Sequence, residues 1–472
     1  MSKSLKIILG GLAGLLVLIA VSLLLFVNAD AYKPRVEAAA SGVFGMEVKV
    51  GGRMRIGFVP GLSVTLEDVH IRNMGSDIVT AKKATLGIQL LPLLHREIRV
   101  GNIALQHPSV SIERGKDGKY NFENPEAVRE PLPALDLAKV SLSDGALRYA
   151  DKQTGEGLEA RACSVDVRRL LLSGVESPER MKSLSFTAEV ACGEIRTKDI
   201  AVSDLKVSVA GKDGVFDFKP VKMSVFGGQG SGNIRADFSR AVPHYQVSYS
   251  LPKFRVEEFF KTLSPQKVAE GHMNFSANLT MQGKTVNEMK QTANGEAHLR
   301  GDNLTLNGYD LDLEFSRFES SQNFNLVDVG AFFFAGPVGV AVTKGYDFAS
   351  LFKGSGGVSV IPTLVSDWKI ERGVAQAQDV AMATKERRVA LRGGLDFVNE
   401  RFNDVTVALI DAGGCAEVRQ KIRGPFLKPV VEKPSTLTSL AGPALKLLKK
   451  GRKLLPGKEC DVFYAGLVAP PK

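Results

Sequence analysis

One apolar stretch near the amino terminus constrains this chain more than any other feature of its sequence. Leu5 to Val27 is apolar except for Lys6 at its start, and it is long enough to cross a bilayer as a single helix. A cleaved signal peptide is the alternative, because Ala29-Asp30-Ala31 offers an A-x-A-like site just after the run. The apolar region of a signal peptide is usually only about 7–15 residues long. The length of the run therefore favours a retained transmembrane anchor.

The charges that flank this run do not decide its orientation. Lys3 precedes the run and Lys6 lies at its start, whereas Lys33 and Arg35 follow it, so the positive-inside count is nearly balanced. No second apolar run of spanning length occurs later in the sequence. The rest of the chain is therefore predicted to lie on one side of the membrane.

Positive charge accumulates near the carboxyl terminus. The chain of 472 residues carries a formal net charge of +10. One basic cluster contains Lys446, Lys449, Lys450, Arg452 and Lys453. Leucines alternate with these residues, so the segment is predicted either to contact anionic lipid or a partner, or to cap the sheet as a helix with solvated lysines. Elsewhere basic and acidic residues alternate, which argues against nucleic acid as a partner.

Apolar residues recur with a period of two along most of the chain. Leu62, Val64 and Leu66 show this alternation near the start, and Val405 and Val407 show it near the end. Strands with one apolar and one hydrated face produce this pattern, which is typical of antiparallel sheets. The sequence therefore predicts a mainly β fold.

Short helices and tight turns are predicted between the strands. The helical segments are Pro34 to Phe44, Val256 to Leu263, Val286 to Thr292, Pro362 to Trp368 and Ser435 to about Leu455. The turn dipeptides are Asp117-Gly118, Asp144-Gly145, Asp213-Gly214, Asn294-Gly295, Asn307-Gly308 and Gly413-Gly414.

The four cysteines show no metal-binding spacing. An oxidising compartment would allow Cys163 to pair with Cys192 and Cys415 with Cys460. Free, buried cysteines are an equally good interpretation of the sequence alone.

Sequence motifs for catalysis are also absent. The six histidines are dispersed, and His272 and His298 lie in strand patterns that predict solvent-facing side chains. The glycine-rich run from Gly227 to Gly232 lacks the lysine of a phosphate-binding loop and is followed by strand sequence, so a hairpin is expected there. We therefore predict a non-enzymatic protein without metal or cofactor.

Several segments of this pattern resemble the AsmA family. The amino-terminal ones are Gly61 to Val69, Leu90 to Leu94, Ile98 to Leu105 and Asp117 to Phe122, and the later ones are Gly271 to Leu279, Asn294 to Leu299, Leu304 to Leu311, Gly373 to Val407 and Ile422 to Pro429. Phe122 departs from the family, many members of which have tryptophan at this position. The resemblance covers most of the chain in the expected order.

The resemblance implies an inner-membrane anchor with the body in the periplasm of a diderm bacterium. It implies an elongated, twisted sheet curled into an open apolar groove, related to chorein-like bridge proteins that move lipids. The implied organisation is an anchor at residues 1–28, a chorein-like module at 29–130, a repetitive β-groove at 131–430 and a basic amphipathic segment at 431–472. Family members are linked to outer-membrane assembly, to protein targeting to membranes and to phospholipid transport.

Two functional hypotheses follow from the apolar faces. In the first, Phe275, Leu279, Val405 and Val407 line a groove that holds phospholipid, and the role of Val64 stays open. In the second, the faces form a closed core, and the protein is a scaffold for outer-membrane or other periplasmic proteins. Alternation alone is compatible with both arrangements, and the resemblance favours the groove.

Overall fold

The computed structural model describes residues 29–59, 61–93, 95, 97, 99–123, 134–173, 180–262, 269–308, 310–321, 356–433, 435–436 and 462–471. The predicted anchor, the basic cluster at 446–453 and Cys460 lie outside these residues. Within the ranges just given, none of the helices is long and apolar enough to span a bilayer.

The described chain is mainly β, as predicted, with a few short helices. A 3-10 turn at Ala29–Tyr32 precedes the α-helices, which are α1 (Lys33–Phe44), α2 (Leu90–Leu93), α3 (Arg180–Ser183), α4 (Val256–Phe260), α5 (Val286–Thr292) and α6 (Leu311–Ser321). The predicted helices at 34–44 and 286–292 are confirmed as α1 and α5, and the helix predicted at 256–263 is described as α4.

Strands divide into two sets along the chain. The earlier set comprises β1 (Glu47–Val50), β2 (Met54–Gly57), β3 (Ser63–Asn73), β4 (Ser76–Ile88), β5 (Val100–Arg114), β6 (Leu135–Asp151), β7 (Gly157–Leu172), β8 (Ser185–Thr197) and β9 (Ala201–Lys212). The later set comprises β10 (Val215–Val225), β11 (Gly228–Asp237), β12 (His244–Arg255), β13 (Ala269–Gln282), β14 (Asn294–Asn307), β15 (Val358–Glu371), β16 (Val374–Ala383), β17 (Arg388–Asp396), β18 (Arg401–Ile410), β19 (Ala416–Pro425), β20 (Val430–Val431) and β21 (Ser435–Thr436).

Two compact units are formed by these elements. The first unit extends to Lys198 and includes Ser208–Asp213, and the second contains Asp199–Val207 and everything from Gly214 onward. Strand β9 is thus divided between them. The boundary predicted between residues 130 and 131 falls within 124–133, outside the described residues.

In the first unit, β3 pairs with β1, β2 and β4, and the order continues through β5, β6, β7 and β8. The β5–β6 pair is parallel, whereas the other pairs are antiparallel. The prediction of an antiparallel sheet is therefore wrong for this pair. A parallel pair needs a connection of about a dozen residues or more, because the chain must return to the end of the sheet where the first strand begins. The segment between Arg114 and Leu135 is long enough for this.

Two of the predicted turns are wrong because the dipeptides lie within strands. Asp144-Gly145 is in β6, where Asp144 has a φ of 52° and the register to β7 shifts on both sides of Gly145. Asn294-Gly295 begins β14 and pairs with β13. Asp-Gly and Asn-Gly signal a positive φ, and a β-bulge uses that conformation as readily as a hairpin turn does.

Strands β10 to β19 of the second unit form an antiparallel meander in which each strand pairs with the next. The helix predicted at Pro362 to Trp368 is wrong, because these residues lie inside β15 and pair with both β14 and β16. Pairing on both edges leaves the segment no helical alternative. A large core connects β12 to β19 with α4 and α6.

Candidate functional site

One face of the first unit's sheet carries two apolar rows that cross six strands. Residues directly opposite one another on paired strands share a face. The first row contains Val64, Leu86, Ile103, Val140, Val167 and Ala188. The second row contains Leu66, Ala84, Leu105, Leu142, Val165 and Val190. We call these two rows the open apolar face.

Most side chains of the open apolar face are half-buried. Among the described residues, a covering layer lies at the β3–β5 end, where Leu66 and Ala84 pack with Val50 and Met54. Elsewhere along the two rows, the described part of the chain places no second packed layer, since its core clusters do not extend to Val140. In the part of the chain that the structure describes, β5 to β8 therefore present a continuous apolar surface that is partly accessible, with Ala188 buried at its β8 edge.

The reverse face of the same strands is polar. One of its rows contains Thr65, Thr85, Ala104, Ser141, Asp166 and Glu189. Hydrogen bonds from Lys139 and Arg168, each at 2.8 Å, lower the pKa of Asp166. The strands therefore have one hydrated face and one apolar face, as the alternation predicts.

Phe275 and Leu279, two of the predicted lining residues, are half-buried on β13. Leu279 stands opposite Val247, which stands opposite Ile234 on β11. Ile234 in turn faces Phe218, and it is 36% exposed. Strands β10 to β13 therefore also present a partly accessible apolar face.

Val405 and Val407, the other two predicted lining residues, lie in a closed core. Their exposed fractions are 2% and 0%. The core that contains them also includes Leu311 and Phe315 of α6, and Phe275 and Leu279 pack at its border. The four predicted residues thus contribute to one apolar cluster, which is accessible at β13 and packed at β18.

On the polar side of β10 to β16 lies a trough with a volume of about 1040 Å³. Asp367 is its most enclosed charge. The Arg300 guanidinium donates two hydrogen bonds to this carboxylate, at 2.6 and 2.5 Å, and His298 Nδ1 lies 2.6 Å from it. Burial alone would raise the pKa of Asp367, but the hydrogen bonds from Arg300 and His298 outweigh it and lower the pKa.

This trough was missed by reasoning from the sequence, which predicted a solvent-facing His298. The side chain of His298 is only 35% exposed. The available signal was the alternation of His298, Leu299 and Arg300 on β14, but the partner Asp367 lies on β15 and is brought opposite only by the strand register.

Residues 462–471 cover one side of β16 to β19. Phe463, Tyr464 and Val468 are buried there in a cluster with small side chains such as Ala390 and Ala408. The Tyr464 hydroxyl donates to Asp379 at 2.6 Å, and burial is the main reason that its pKa is raised. This part of the predicted carboxyl-terminal segment therefore packs on the sheet.

The family comparison agrees with the resemblance seen in the sequence. A profile of the AsmA family matches residues 1–170 and 132–317, which together span more than half of the chain. The chain belongs to the AsmA family. No curated protein matches it. The AsmA match contains the whole open apolar face together with Phe275 and Leu279, and it ends before the packed Val405 and Val407.

Two cysteines of this AsmA-family chain occupy paired strands. Cys163 on β7 and Cys192 on β8 stand directly opposite each other and are joined by a disulfide. The backbone of Cys415 pairs with that of Val462 in an isolated antiparallel β-bridge. Its predicted partner Cys460 lies outside the described residues, so this second pairing stays a prediction.

The glycine-rich run from Gly227 to Gly232 forms a hairpin, as expected. Val225 pairs with Gly228 across the turn. A Cβ atom at Gly230 would lie 2.0 Å from the Tyr249 hydroxyl oxygen, and one at Gly232 would meet the same ring. The glycines therefore make room for Tyr249. In the described part of the chain, no group of three or more His, Cys, Asp or Glu residues is placed to hold a metal ion.

Proposed function

We propose that this AsmA-family protein holds phospholipid against its accessible apolar faces and contributes to lipid transport from the inner to the outer membrane. The observation that carries the proposal is the open apolar face, whose rows run without interruption across six paired strands. Outer-membrane biogenesis and the regulation of protein targeting to membranes would follow from this transport.

A continuous apolar surface suits lipid transfer for an energetic reason. Exposing an acyl chain to water costs about 0.8 kcal/mol for each CH₂ group, which amounts to roughly 20 kcal/mol for a two-chain phospholipid. A half-buried row such as that of Ile103, Val140 and Val167 would cover much of one side of such a chain. The protein then needs no catalytic group, and we propose a non-enzymatic carrier.

Placement in the envelope is part of the proposal. The apolar run from Leu5 to Val27 would anchor the chain in the inner membrane by one helix, with the body in the periplasm. A disulfide between Cys163 and Cys192 is compatible with that oxidising compartment.

One observation favours the alternative of a scaffold that carries no lipid. Val405 and Val407 lie in a packed core, so the face of β17 to β19 offers lipid no room. The lipid proposal therefore concerns the open apolar face and the accessible part of β10 to β13, whereas the closed strands suit a supporting role.

Site-specific photo-crosslinking in living cells tests the proposal on the full chain. A benzophenone amino acid would replace Val140 on the open apolar face in one variant. A matched variant would carry it at Ser141, the next residue, which faces the polar side. The cells would be labelled with radioactive phosphate, and phospholipid attached to the purified protein would be counted.

We expect phosphate-labelled lipid at position 140 and much less at 141. Equal labelling at the two positions, or none at 140, would contradict lipid carriage by this face. Crosslinks from position 140 to another protein, without lipid, would support the scaffold instead.

A further inference from the structure

Exposed apolar side chains in the first unit are concentrated at one end of its strands. Seven of the ten large apolar residues described as exposed there lie at this end. We call them the apolar tip, which comprises Phe58, Val59, Leu90, Leu91, Leu135, Leu171 and Met181. Val59 and Leu91 are 91% and 78% exposed. Isolated exposed apolar residues are ordinary, but a cluster of this kind marks an interaction surface.

Strand register places these residues together. Gly57, Ser63, Gly87 and Asn102 stand opposite one another at the ends of β2 to β5. Phe58 and Val59 follow Gly57 in the β2–β3 loop, and Leu90 and Leu91 follow the end of β4. The same row continues through Lys139, Arg168 and Thr187 on β6 to β8. Leu135, Leu171 and Met181 lie beyond that row, at the same end.

The first described residues enter the unit from this end. Asp30 accepts a hydrogen bond from the Met54 amide at 2.8 Å, and Met54 stands opposite Leu66. Further along α1, the Glu37 carboxylate accepts a hydrogen bond from the amide of Val50, which stands opposite Val69. The Ser41 hydroxyl accepts one from the amide of Val48, which stands opposite Ile71. The helix thus runs away from the apolar tip, and Ala29, where the described chain begins, lies on the side of the tip.

Charge around the apolar tip suits a lipid surface. Arg99, Arg169 and Lys182 are exposed beside it, and Arg99 donates to Glu97 at 2.7 Å. Exposed basic residues next to apolar loops favour anionic headgroups, whereas the apolar side chains favour the boundary between headgroups and acyl chains.

We propose that the apolar tip inserts into the bilayer that holds the predicted amino-terminal anchor. The β2–β3 loop at 58–59 and the start of α2 at 90–91 dip below the headgroups, so the end of the first unit rests on the membrane surface. The first apolar row, with Val64 and Leu86, begins one residue from this end. A lipid leaving the bilayer would meet that row directly, but the insertion itself does not depend on lipid carriage.

Fluorescence quenching by brominated lipid tests the insertion. The full chain would be reconstituted into vesicles of phosphatidylethanolamine and phosphatidylglycerol, with bromine on the acyl chains of part of the phosphatidylglycerol. One variant carries Phe58→Trp at the tip. Its matched control carries Phe122→Trp, because the exposed fractions of Phe122 and Phe58 are similar, at 43% and 48%. Phe122 lies at the opposite end of the strands, since the carbonyl of its neighbour Asn121 accepts a hydrogen bond from Asn73, the last residue of β3. The parent chain, with its single tryptophan at 368, provides the background.

We expect the added tryptophan of Phe58→Trp to be quenched, most strongly by bromines about 5–10 Å below the headgroup boundary. The added tryptophan of Phe122→Trp should give no quenching above that of the parent. Leu91→Trp provides a second tip variant with the same expectation if Phe58→Trp does not fold. Tip variants quenched no more than Phe122→Trp would overturn the proposal and point to a protein as the occupant of the tip.

Discussion

Asp367 shows how a single side chain depends on a partner from another strand. Its carboxylate is 15% exposed and receives hydrogen bonds from the Arg300 guanidinium. Hydrogen bonds to a charged group of this kind contribute about 1.5–3 kcal/mol. The ion pair forms because the register of β14 and β15 places His298 opposite Asp367, with Arg300 two residues farther along the same face.

Replacing this carboxylate should make the stability of the second unit depend less on pH. The pKa of Asp367 is lowered in the folded protein, so its stabilisation is present above its unfolded pKa and is lost as the pH falls through the folded pKa. We expect Asp367→Asn to lower the free energy of unfolding by about 2 kcal/mol at pH 7. The difference from the parent should shrink well below pH 4.

Urea unfolding followed by the fluorescence of Trp368 would measure this difference, because Trp368 is the neighbouring residue and the chain's single tryptophan. Asp217→Asn is the control, since its pair with Arg235 is about half exposed and should contribute little. An equal loss of stability for Asp367→Asn at pH 7 and pH 3 would show that the ionised form is not the cause.

At the scale of elements, neighbouring strands are secured by contacts beyond the ladder of backbone hydrogen bonds. Residues 462–471 pack Phe463 and Tyr464 on the sheet, and the Arg388 guanidinium donates to the Val468 carbonyl at 2.9 Å. In the first unit, the disulfide between Cys163 and Cys192 joins β7 to β8. These strands lie toward the end of the open apolar face where the described residues form no packed second layer.

Removing the disulfide should therefore loosen β7 and β8 selectively. We expect the double variant Cys163→Ala and Cys192→Ala to lose about 2–4 kcal/mol of stability, the usual effect of a disulfide that closes a loop of this order. Hydrogen exchange followed by mass spectrometry would show faster exchange in β7 and β8, with β15 to β18 as the internal reference. Treating the parent with a reductant should reproduce the change, and unchanged exchange in β7 and β8 would contradict the assignment.

For the molecule as a whole, the two units treat the same alternating pattern differently. The apolar rows of the first unit stay half-buried, whereas the face of β15 to β18 is closed by α6 and the surrounding core. An unpaired carboxylate is costly in a closed core but remains hydrated on an accessible face. Matched aspartate substitutions therefore distinguish the two kinds of face.

We expect Val407→Asp to destabilise the second unit by more than about 4 kcal/mol or to prevent its folding, because Val407 is fully buried. Val140→Asp should cost only about 1 kcal/mol and should reduce bound phospholipid. Thermal unfolding and native mass spectrometry of the full chain would measure the two effects. A Val140→Asp variant as unstable as Val407→Asp would mean that the first unit's face is covered.

The sequence by itself determined the mainly β fold and the positions of α1 and α5, because period-two alternation and helix signals are local. It also determined membership of the AsmA family and placed Cys163 and Cys192 as candidate partners. Only the tertiary structure decided that β5 and β6 are parallel, that residues 362–368 are a strand and that Asp144-Gly145 is a bulge. These features depend on which strand lies alongside another, and local sequence does not encode that choice. For the same reason, alternation alone could not separate the accessible Val140 from the packed Val407, since a covering layer comes from residues distant in the chain.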